Sequence, residues 1–168
     1  DREQIMYAVF AKSNFYNTVH QTYMELPFGQ APMSVMPDAK VGVRFTSYPI
    51  GTYALECGSI GDVNTFGRKY RMTADQLVEE FGYDSCPDKV KRAFDDGKGN
   101  ASTFVVCWLV MPNKDRNGKL GNKNMPYSSI YWVEGSNTDE VLRHSGFEEW
   151  AIPIARHTHN QMHRCYNF

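Results

Sequence analysis

Apolar residues open the chain at helical intervals. Ile5, Val9, Tyr16, Val19 and Tyr23 recur at steps of three, four and seven, which places them on one face of a helix. They predict a single amphipathic helix over residues 2–26. Asp1 suits its N-cap, Pro27 cannot continue it, and Phe28-Gly29 begins the exit. The stripe is expected to pack on the core, or on a neighbouring subunit. The period then changes. Residues 31–36 form a short apolar segment broken by Pro32 and Pro37. Val41, Val43 and Phe45 alternate with Gly42, Arg44 and Thr46, the two-residue period of a half-buried strand. Tyr48-Pro49-Ile50-Gly51 reads as a turn. Further strands are expected over 52–57 and, after Gly58 and Gly61, over 63–72.

Two short helices follow, near 74–82 and 87–96. Thr73 stands three residues before Gln76, the spacing of a capping box, and Gly82 suits a helix end. The second helix takes Ser85 as its expected cap, and Val90, Ala93 and Phe94 give it an apolar face. Residues 103–111 are almost continuously apolar, as in a central strand buried on both faces. A polar excursion leads to a strand over 128–134, with Ser128, Ile130 and Trp132 on one side and Tyr131 and Val133 on the other. Two last strands are expected over 141–144 and 150–155, joined by Ser145-Gly146-Phe147.

Strands segregated from helices predict an α+β fold with a largely antiparallel β-sheet or meander, an N-terminal amphipathic helix and two short helices in mid-chain. The expected division is an N-terminal helix at 1–29, a β-rich domain at 30–156 and a terminal segment at 157–168. The chain starts at Asp1, without Met, inside a helical pattern, and so reads as a fragment of something longer. At 168 residues it can bury a sizeable core.

Charge adds an exclusion. The formal net charge is −1, so bulk electrostatics predict no strong attraction to nucleic acid or anionic membrane. No apolar run reaches transmembrane length. Cys57, Cys86, Cys107 and Cys165 form no CxxC pair and read as free thiols.

The chemical search finds no phosphate-cradling glycine motif and no nucleophile elbow. Cys107 lies in an apolar strand and reads as an inert core thiol. The loop Asp115-Arg116-Asn117-Gly118 lacks the alternating oxygen ligands and terminal Glu of a calcium loop. The adjacent pairs Glu79-Glu80, Asp95-Asp96 and Glu148-Glu149 point apart and read as solvated charge. His157, His159, His163 and Cys165 are the sharpest signal, because all four are zinc-ligand types. Arg156 and Arg164 weigh against a cation there. No catalytic, cofactor-binding or metal-binding residue is assigned.

Several stretches taken in order carry a resemblance. They are Ser13-Asn14-Phe15-Tyr16 leading to Phe28-Gly29, and Phe45-Thr46-Ser47-Tyr48-Pro49-Ile50-Gly51-Thr52-Tyr53. Arg68-Lys69-Tyr70-Arg71-Met72-Thr73-Ala74-Asp75-Gln76-Leu77 follows, then Lys123-Asn124-Met125-Pro126-Tyr127, and Ser145-Gly146-Phe147 before Pro153-Ile154-Ala155-Arg156. Over about residues 1–156 this series resembles the head-to-tail connecting (portal) proteins of short-tailed bacteriophages, the podovirus type. The resemblance implies that 30–156 is part of the outer, wing-like region of a portal subunit, a structural piece with no catalysis and no cofactor. It implies a ring of subunits, dodecameric in the full-length parent, at one capsid vertex. Double-stranded DNA is packaged and ejected through that ring. Capsid, terminase and tail proteins are the implied partners, the virion the implied location, and the host cytoplasm the place of assembly. No membrane partner is implied. The alternative is a metal-binding module or metal-dependent enzyme built on the C-terminal His/Cys cluster.

Overall fold

The computed structural model describes residues 1–59, 61–116, 121–137 and 140–156. They form two compact units, one of residues 1–53 with 150–156 and one of residues 54–149. The fold is α+β with two antiparallel sheets and four helices.

The first unit opens with two helices, α1 (Arg2–Lys12) and α2 (Phe15–Glu25), where the apolar period predicts one. The break has a local cause. Ser13 is extended (φ −87°, ψ −179°). Its hydroxyl donates to the Phe10 carbonyl at 3.0 Å and accepts from the Phe15 N–H at 3.2 Å. Such short polar side chains compete with the helical backbone for its own groups. Asp1 caps α1 as expected, accepting from the Glu3 N–H at 3.3 Å.

The face that α2 buries is the reverse of the expected one. Thr18 and Thr22 are 3% and 7% exposed, whereas Tyr16 and Tyr23 are 58% and 65% exposed. Hydrogen bonds explain the inversion. Strand β1 (Gln30–Asp38) pairs with β2 (Gly42–Ser47), which leaves β2 at a sheet edge. Phe45 lies on that edge. The Asn14 side chain donates to its carbonyl at 2.7 Å and accepts from its N–H at 2.9 Å. One turn on, Thr18 Oγ1 reaches the same carbonyl at 3.4 Å, and Thr22 Oγ1 reaches Ser47 Oγ at 3.3 Å. Glu25 accepts from the Ile50 N–H at 3.1 Å. These positions share one helix face, so α2 lies along the edge and supplies partners that a further strand would otherwise supply. Phe10 and Phe15 stack at 4.1 Å, and both meet the Phe45 ring edge-on.

Strand β1 is central in a three-stranded sheet of order β2-β1-β8, with β8 at Ile154–Arg156. Pro32 is tolerated there because its carbonyl alone is used, accepting from the Tyr48 N–H at 3.1 Å. The β1–β2 turn is closed by Asp38. Its carboxylate accepts from Arg44 Nε at 2.8 Å and from the N–H groups of Lys40 and Val41 at 2.8 and 3.1 Å.

The second unit is a five-stranded sheet of order β3-β4-β5-β6-β7, formed by β3 (Tyr53–Cys57), β4 (Val63–Thr73), β5 (Thr103–Pro112), β6 (Tyr127–Val133) and β7 (Val141–Phe147). The apolar run of β5 is central, as expected. Helices α3 (Ala74–Phe81) and α4 (Asp88–Asp95) cover one face, and the core there is built from Leu77, Val90, Val106, Val133 and Leu142. Thr73 and Gln76 form the expected capping box. Helix α4 differs from expectation: its N-cap is Pro87, not Ser85, and it has no side-chain cap bond. Residues 145–147, expected as a turn, are the last residues of β7. Gly146 is required there, because a Cβ would stand 2.6 Å from the carbonyl oxygens of Asn122 and Tyr127.

Three outcomes follow from these contacts. Asn14→Ala takes the side-chain partner from the Phe45 N–H and leaves its carbonyl only the longer Thr18 contact, and should cost about 1–2 kcal/mol in urea unfolding. An unchanged midpoint would mean that water serves the edge equally well. Gly146→Ala should cost about 1–3 kcal/mol, since two backbone oxygens must move; a neutral result in the same assay would refute that crowding. The Asp38 carboxyl is lowered to about 2, first by the Arg44 hydrogen bond and then by the two N–H groups. Because its folded value lies below the ordinary carboxylate range, its contribution to stability is present above about pH 4 and fades as pH falls toward 2. A carbon-detected titration should give Asp38 a midpoint near 2; an ordinary midpoint would show the turn open in solution.

Candidate functional site

The alternation of side chains along β5 puts Cys107, Leu109 and Met111 on the sheet face opposite Val106, Trp108 and Val110. That opposite face carries an open cleft of about 820 Å³, lined among others by Glu56, Asn64, Leu109, Met111, Ser128 and His144. The β5–β6 connection forms part of its wall. Asn113 holds that connection, its side-chain amide donating to the carbonyls of Lys123 and Met125 at 2.9 and 3.0 Å.

One polar pair in the cleft escapes a reading of local patterns. Ser128 Oγ and His144 Nε2 share a hydrogen bond of 2.9 Å across β6 and β7. Serine beside histidine is the start of a nucleophilic pair, but the chemistry also needs a group to orient the imidazole and donors for an oxyanion. Among the described residues no carboxylate hydrogen-bonds to His144. The signal that could have found the pair is the strand register, which sets Ile130 opposite His144 and Ser128 opposite Gly146.

The other face is aromatic. Trp108 and Tyr131 stack at 5.3 Å, Phe66 meets Trp108 edge-on at 5.2 Å, and Trp108 Nε1 donates to Ser129 Oγ at 3.0 Å. Arg143 lies over the Phe81 ring at 4.8 Å and donates to the Glu80 carbonyl at 2.7 Å and its carboxylate at 3.2 Å. The guanidinium thereby fastens α3 to β7. This is packing chemistry, with each polar end satisfied.

The residues singled out in the sequence do not converge. Cys107 and Cys86 are buried free thiols, and burial raises both above the ordinary thiol value. Cys57 departs from the free-thiol expectation, since it is disulfide-bonded. Glu80 is taken up by Arg143, Asp95 accepts from Tyr83 Oη at 2.8 Å, and Glu148 and Glu149 are exposed. Arg116 donates to the Asn124 carbonyl at 3.1 Å, which ties it to the later part of the β5–β6 connection; Asn117 and Gly118 lie outside the described residues. His157, His159, His163 and Cys165 also lie outside them. Among the described residues no cluster of three or more His, Cys, Asp or Glu could hold a metal ion. None of the described helices is long and apolar enough to cross a membrane.

The arrangement is that of a scaffold: two sheets, an edge closed by a helix, and aromatic and guanidinium contacts that fasten elements together. Comparison with known proteins agrees with the resemblance carried by the sequence. Residues 1–164 match the bacteriophage head to tail connecting protein family, and the chain belongs to that family. It is 39% identical over 154 residues to the portal protein of Salmonella phage epsilon15, covering 90% of this chain and 27% of that protein. It is 36% identical over 149 residues to the probable portal protein of Bordetella phage BPP-1, covering 88% of this chain and 27% of that protein. The chain thus spans about a quarter of the length of the relatives it matches.

Both free thiols should be nearly silent toward a thiol reagent at pH 8 in the folded protein and react fully in denaturant, because the thiolate is the reacting form and burial suppresses it. Fast labelling of native Cys107 would reopen the case for a reactive cysteine.

Proposed function

We propose that this chain is a structural, non-catalytic part of a portal subunit at the head-to-tail vertex of a bacteriophage capsid. The observation that carries this reading is the match to the connecting-protein family over residues 1–164. The portal names of its two relatives support it. In this reading the full-length parent forms a ring with other copies of itself, dodecameric as in the portal class. Double-stranded DNA passes through that ring during packaging and ejection. Capsid, terminase and tail proteins bind the ring rather than this segment alone. The β-rich part of the chain belongs to the outer, wing-like region. The protein is a component of the virion and assembles in the cytoplasm of the bacterial host.

A net charge of −1 fits a segment that does not itself grip DNA, since binding to the phosphate backbone rests on clustered Lys and Arg. Light scattering after size exclusion tests the reading. The full-length parent should elute as a ring of about a dozen subunits, the size that the portal class implies for a closed cyclic assembly. A parent that stays monomeric at high concentration would end the portal assignment.

A further inference from the structure

We draw no further inference here: the strongest candidate, the open cleft on the face of the five-stranded sheet away from α3 and α4, where Ser128 and His144 share a hydrogen bond, belongs to the site already described, and nothing in the structure shows what covers it.

Discussion

The first unit depends on how the outer edge of β2 is satisfied. A strand edge offers N–H and carbonyl groups that must find water, another strand or a side chain. Here the Asn14 amide meets both groups of Phe45, and Thr18 and Thr22 continue the seam. Once this constraint is met, the rest of the unit is largely determined. The chain must break at Ser13 so that Asn14 can turn toward the strand. The aromatic trio of Phe10, Phe15 and Phe45 fills the corner beside it, and the apolar side of α2 is left facing outward.

The second unit is governed instead by ordinary burial. Its central strand has apolar side chains on both faces, and α3 and α4 cover one of them. Polar atoms there are used as fasteners. Arg143 joins β7 to α3, Lys69 pairs with Glu134 across the strands, and Trp108 finds Ser129. Among the described residues these contacts join elements to one another, and the Ser128–His144 contact stands without a partner for the imidazole among the described carboxylates. A scaffold of this kind fits membership of a connecting-protein family.

Much of this was legible in the residues because it is local. The Thr73–Gln76 capping box, the run that makes β5 central and the α+β class all follow from neighbours in sequence. The inverted face of α2 was not legible, although the helical period was. Hydrophobic periodicity finds a stripe but does not say what lies opposite the polar one, and the acceptor for Asn14 is thirty-one residues away. The destination of β8 was hidden for the same reason. Residues 154–156 continue the chain after β7, yet they pair with β1 in the other sheet. The helix start at Pro87 shows that a good capping residue nearby does not fix where a helix begins.

The pairing of β1 with β8 also bears on how the chain is made. Ala31 lies opposite Ala155, so the first sheet is closed by strands that leave the ribosome with the entire second unit between them. Local contacts can form early, but this one must wait, and long-range pairing slows folding through the entropy of the loop it closes. During that wait one side of β1 has no neighbouring strand. The second unit, residues 54–149, lies wholly within that interval and closes its own sheet of order β3-β4-β5-β6-β7, so it can fold before β8 is available. In this order the described chain ends by completing the sheet in which its strands began.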